Sequence, residues 1–87
     1  MDIDMLAELA RLRALVSTGA ARPIRLNAGL SLGEVAKSVG VTPATVLRWE
    51  TRERVPHGAA AVAYGRLLAS LVESQRGSKR DRVPTAS

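Results

Sequence analysis

The sequence predicts an all-α fold: a compact bundle of about five short helices that contains a helix-turn-helix and ends in a disordered basic tail. Three observations carry this. Apolar residues recur at helical spacing along most of the chain. The breaks between those runs fall on glycines and on residues that cap helix N-termini. The chain has 87 residues and is 46% hydrophobic, with one Trp, one Tyr and no Phe, so its core is aliphatic and large enough for one small domain only.

Met5, Leu9, Leu12 and Val16 fall at i, i+4, i+7 and i+11, and Leu6 and Leu15 widen the stripe. This is an amphipathic helix over residues 4–17, with Asp2 and Asp4 placed to suit its dipole. Residues 1–18 are therefore an N-terminal amphipathic helix ahead of a helix-turn-helix domain over 19–74 and a tail over 75–87. The helix has two readings: it caps the core, or its Met5/Leu9/Leu12/Val16 face receives another chain. Ser17-Thr18-Gly19 interrupts the pattern, and a second helix follows over about 20–28. Pro23 lacks an N–H and clashes inside a helix, so this helix starts late, near Arg22, or is kinked. Gly29 ends it as the left-handed residue past the cap, and Leu30 returns to the core.

Residues 31–50 form the most informative stretch, SLGEVAKSVGVTPATVLRWE. Ser31-Leu32-Gly33-Glu34 is a capping box, in which the hydroxyl accepts from the Glu34 N–H and the carboxylate reaches back to the cap. Gly40 stops the first helix. Thr42 caps the next, and Pro43 stands in the first turn, where no backbone N–H is required. Ala36 is small where two helices cross, Gly40 takes the turn, and Val35, Val39, Val41, Val46 and Trp49 are the buried positions. Every constrained slot of a helix-turn-helix is suitably filled. The recognition helix spans about 42–52. After Pro56, Tyr64, Leu67, Leu68 and Leu71 give the last helix, about 58–74, a face that closes the domain, with the Tyr64 hydroxyl expected at the surface.

Charge is uneven. Residues 1–19 are net −1; residues 20–56 hold Arg22, Arg25, Lys37, Arg48, Arg52 and Arg54 against three acids. The tail beyond Gln75 holds Arg76, Lys79, Arg80 and Arg82 against Asp81. The excess base thus sits on the helix-turn-helix and the tail, where a phosphate backbone would be met. No cysteine is present and the one His, His57, stands alone beside Pro56, so no thiolate or metal-ligand cluster and no nucleophile–base constellation can be assembled. No enzyme activity and no cofactor are expected. The acidic N-terminus and the lack of an apolar run of about 18 residues argue against a signal peptide or membrane span. The expected location is cytoplasmic, in a bacterium or a phage-infected host cell.

The run IRLNAGLSLGEVAKSVGVTPATVLRWETRERVP, residues 24–56, resembles the XRE family of phage-repressor and Cro-type helix-turn-helix proteins. That family's pattern is roughly I-R-x-x-A-G-L-S, a helix-turn-helix ending in W-E, then a basic stretch and Pro. With the following helix, the resemblance covers about two-thirds of the chain. It implies a lambda-repressor-like bundle and a sequence-specific regulator that places its recognition helix in the major groove of double-stranded operator DNA. It also implies an ion pair between Arg25 and Glu50, the residue after the Trp, tying two helices together.

Because Val46 and Trp49 are buried, Pro43, Ala44, Thr45, Leu47 and Arg48 are left outside. Pro43, Ala44 and Arg48 match the family's base-facing positions, and Thr45 lies beside them. Arg48 can form a bidentate contact with guanine; Ala44 and Thr45 offer methyl groups to thymine. Phosphate contacts are expected from Ser31, Lys37, Thr42, Thr51, Arg52 and Arg54, and from Leu32 through its backbone, since many members carry Gln there. Members commonly have Gly where Arg52 stands, which predicts a slightly longer recognition helix here. The partner is DNA, without membrane or small-molecule ligand, and monomer, homodimer and a homodimer formed only on DNA stay open. An antitoxin-type interaction module and a recombination accessory factor are the alternatives to a repressor.

Overall fold

The computed structural model of the chain describes residues 2–86, with side chains described through Gln75. It contains five α-helices and, among the described residues, no strand: α1 Ile3–Ser17, α2 Ala21–Asn27, α3 Leu32–Val39, α4 Pro43–Glu50 and α5 Gly58–Ala86. The tail expected beyond Gln75 falls in the last part of α5, outside the residues whose side chains are described.

The caps define the elements. Asp2 starts α1, its carboxylate accepting from the Met5 N–H at 2.8 Å. α1 and α2 end in the same way, on glycines with φ of 79° and 73°, Gly19 and Gly29. In each, two N–H groups turn back onto the last helical carbonyls: Gly19 to Val16 and Ala20 to Leu15, Gly29 to Leu26 and Leu30 to Arg25. α2 begins at Ala21, which makes Pro23 its third residue. N–H groups of a first turn have no intrahelical acceptor, so Pro23 removes no hydrogen bond and no kink is needed. In α3 both halves of the capping box form, Glu34 N–H to Ser31 Oγ at 3.0 Å and Ser31 N–H to Glu34 Oε1 at 2.9 Å. Gly40, at φ 86°, ends that helix.

α1 lies along α5. They pack closely at Gly65, where a Cβ would stand 3.3 Å from the Leu12 Cβ. Leu9, Leu12 and Val16 are buried, so the face considered for a partner is occupied by the chain's own core. Each such aliphatic side chain withdrawn from water contributes roughly 1.5–3 kcal/mol. α3 and α4 pack on each other and bring Val35, Ala36, Val46 and Trp49 against Ala61, Tyr64 and Leu68 of α5. Val39 and Val41, expected in the interior, pack on the margin of this core and are only partly buried.

The Trp49 and Tyr64 rings meet at a centroid distance of 4.7 Å with a 38° tilt. Tyr64 is 1% exposed, and its hydroxyl is buried without a hydrogen-bond partner among the described residues. The expectation of a hydroxyl at the surface is therefore corrected: contact with Trp49 draws the ring into the bundle and takes the hydroxyl with it. Burial pushes the Tyr64 pKa up to about 12.

Candidate nucleic-acid interface

Recognition by a helix requires that the helix be short, capped and held at a defined angle. Thr42 caps α4, its Oγ1 accepting from the Thr45 N–H at 3.2 Å and lying 2.9 Å from the Thr45 hydroxyl. One proton closes that hydroxyl pair, which leaves the other free to point outward. Pro43 follows in the first turn. Val46, Trp49 and Glu50 face inward and are buried. Pro43, Ala44, Leu47 and Arg48 are exposed, and Thr45 is half-buried at their edge. Leu47, 41% exposed, is a large aliphatic side chain on the outer face of this helix.

The angle of α4 is held by Arg25. Its Nε donates to Glu50 Oε2 at 2.5 Å and its Nη2 to Glu50 Oε1 at 3.0 Å, a two-point fork between guanidinium and carboxylate. Arg25 Nη1 donates to the Leu30 carbonyl at 2.9 Å. The two side chains are 9% and 2% exposed. One buried guanidinium therefore ties together α2, the turn leading into α3, and the C-terminal end of α4. The hydrogen bond to Glu50 raises the Arg25 pKa further, so the guanidinium stays charged. The bond to Leu30 was not foreseen from sequence. Its signal is local: Leu30 closes α2 by folding its own N–H onto the Arg25 carbonyl, which carries its C=O back to the Arg25 side chain.

The recognition helix does not run on through residue 52, as the missing glycine suggested. It stops at Glu50 with Thr51 as cap, and Arg52 takes the left-handed conformation itself, at φ 66°. Arg52 N–H reaches the Trp49 carbonyl and Glu53 N–H the Arg48 carbonyl, the same closure that glycine gives α1 and α2. The conformation is strained for a residue with a Cβ. Arg52 Nη1 in turn donates to the Ser17 carbonyl at the end of α1, 3.3 Å away. Arg13 Nε reaches the carbonyl of the fully buried Pro56 at 3.5 Å, so α1 is tied to both ends of the loop after α4.

The remaining polar residues surround α3 and α4. Ser31, Lys37, Thr42, Thr51, Arg52 and Arg54 are all exposed. Leu32 is partly buried, its side chain packed against the core at the start of α3. The Glu34 carboxylate folds back over that N-terminus, and its hydrogen bonds to Ser31 hold its pKa below the usual range. An anion approaching α3 thus meets a carboxylate already in place as well as the free N–H groups. Among the described residues no cluster of potential metal ligands occurs, and no helix is long and apolar enough to cross a membrane.

A protein-family model described as Helix-turn-helix matches residues 24–69, just over half of the chain, from the middle of α2 into α5. Nothing among the curated proteins or the solved structures matches the chain.

Proposed function

Because the chain belongs to the XRE-type helix-turn-helix family of DNA-binding regulators, we propose that it acts as a Cro- or repressor-like protein that occupies operator DNA. α4 enters the major groove, and bound protein excludes others from overlapping promoter sequence. The observation that carries this reading is the two-sidedness of α4. Its inner residues are buried and clamped through Glu50, while Pro43, Ala44, Leu47 and Arg48 stand exposed together on the outside.

In this reading Arg48 reads guanine by a bidentate contact. Ala44, Thr45 and Pro43 form a low, largely apolar surface against thymine methyls, so much of the remaining selectivity comes from DNA shape. Ser31, the Leu32 N–H, Lys37, the hydroxyl proton of the Thr42–Thr45 pair, Thr51, Arg52 and Arg54 meet phosphates. Burial of Leu9, Leu12 and Val16 in the chain's own core supports the regulator reading over antitoxin-like capture of another protein on that face.

Selection from a randomised duplex pool tests the proposal. Wild type is expected to enrich one site, and Arg48→Ala to relax a G·C position within it at a cost of about 1–3 kcal/mol. Binding that is steeply salt-dependent, blind to sequence and unaffected by Arg48→Ala would show that α4 does not read bases.

A further inference from the structure

α1 has a second face that the core does not use. Opposite Leu9, Leu12 and Val16, the residues Ile3, Leu6, Ala10 and Ala14 fall at i, i+3, i+7 and i+11, and all four are exposed. Ile3 is 82% and Leu6 52% exposed. The outward side of a surface helix is normally polar; the crest of this one carries no charge. α1 also lies ahead of the family-matched residues 24–69, so the helix-turn-helix itself gives no account of this stripe.

Charges flank the crest in an ordered way. Asp4 and Arg11, two helical turns apart, lie along one side; Asp2 and Arg13, three turns apart, lie along the other, Asp2 also capping α1 and Arg13 Nε also reaching the Pro56 carbonyl, and all four are exposed. On both sides the acid is nearer the N-terminus and the base nearer the C-terminus. An antiparallel pairing of two such helices about a two-fold axis sets acid against base on both flanks. A single register, centred between Ala7 and Glu8, matches Asp4 with Arg11 and Asp2 with Arg13 at once. In that register Ile3 and Leu6 of one copy lie nearest Ala14 and Ala10 of the other, large against small, which lets the helices approach closely. The helix dipoles also oppose each other favourably.

We propose that α1 is a homodimerisation element: two copies of the chain pair α1 against α1, antiparallel, through the Ile3–Leu6–Ala10 stripe and reciprocal Asp4–Arg11 ion pairs. The self-complementary order of size and charge identifies the occupant as a second copy, since a two-fold contact needs one patch that matches itself. One face of a short helix buries less than the roughly 800 Å² per partner of a standard interface. The dimer is accordingly weak, concentration-dependent and, through its exposed ion pairs, weakened by salt.

Sedimentation velocity of the full chain over rising concentration, at low and at high salt, tests this independently of any DNA readout. Wild type is expected to dimerise more tightly at low salt. Leu6→Arg, a change at an exposed position, weakens the dimer by roughly tenfold or more, the equivalent of one lost aliphatic contact. Asp4→Arg alone and Arg11→Asp alone are each monomeric, and an equimolar mixture of the two forms a heterodimer, because every position-4 to position-11 contact then joins opposite charges. Circular dichroism establishes that each variant is folded. A wild type monomeric at every concentration overturns the proposal, as does a dimer indifferent to Leu6→Arg and to both reversals. A mixture that associates no better than its components overturns the antiparallel register.

Discussion

The Arg25–Glu50 pair offers the most demanding test of how this fold is held. With side chains 9% and 2% exposed and a two-point contact, each ion is compensated chiefly by the other. Glu50→Ala leaves the guanidinium buried with only the Leu30 carbonyl as an identified acceptor. Removing one partner of a buried pair costs about 3–5 kcal/mol. An 87-residue domain has roughly 4–13 kcal/mol of stability in all. Glu50→Ala is therefore expected to remove a large share of the stability. With a urea m-value of about 1 kcal/mol/M, the unfolding midpoint falls by about 3 M or the variant is unfolded in water.

Replacing both partners, Arg25→Met with Glu50→Leu, removes the desolvation penalty together with the attraction. It is expected to be near neutral, or more stable by up to about 4 kcal/mol. A urea double-mutant cycle measures both outcomes. A single-variant loss below about 1 kcal/mol, or single effects that simply add in the double variant, would mean that the pair behaves as a solvated surface contact. The same double variant separates stability from positioning. It should fold and yet bind DNA less selectively, because the tie between α2, the α2–α3 turn and α4 is gone.

Two further outcomes follow from local features. Tyr64→Phe deletes a buried hydroxyl without a partner among the described residues and should be neutral or stabilising by up to about 2 kcal/mol in urea titration. The wild-type hydroxyl ionises at about 12 when folded, against about 10 in an unfolded chain. The stability that burial of the neutral phenol provides is thus complete below pH 10 and lost as pH rises toward 12, a decline that Tyr64→Phe should reduce. Arg52→Gly relieves the left-handed backbone at φ 66° while losing the bond to the Ser17 carbonyl, and should raise stability by up to about 1 kcal/mol. Its DNA affinity should fall nonetheless, with the salt slope reduced by about 1. A variant clearly less stable than wild type would show that the bond to Ser17 outweighs the strain.

Much of the fold is written in local sequence. Ser31 and Glu34, Thr42 and Pro43, and the glycines at 19, 29 and 40 act over three or four residues, so their consequences are readable without any tertiary knowledge. The Leu9/Leu12/Val16 periodicity likewise states that α1 has a buried side. It does not state whether that side meets this chain or another, and only the packing of α1 on α5 decided the matter. The composition of α4 announces which residues face outward once Val46 and Trp49 are assigned inward.

What the sequence determined by itself is therefore the set of helices, their caps and the identity of the helix-turn-helix, because short-range hydrogen bonding and periodic burial are properties of neighbours along the chain. What only the tertiary structure decided depends on residues distant in sequence. The missing glycine at position 52 suggested a longer helix, yet the backbone bends there regardless, with its side chain anchored on the end of α1, 35 positions away. Tyr64 carries a hydroxyl that local pattern sends to water, yet the ring's contact with Trp49 takes it inside. α1 buries one side on α5 and leaves Ile3 and Leu6 outside, a distinction that exists only once the partner helix has been chosen. For Arg52 and Tyr64 the local preference overridden is worth about 1–2 kcal/mol, and the long-range contact that overrides it forms only when the chain has folded.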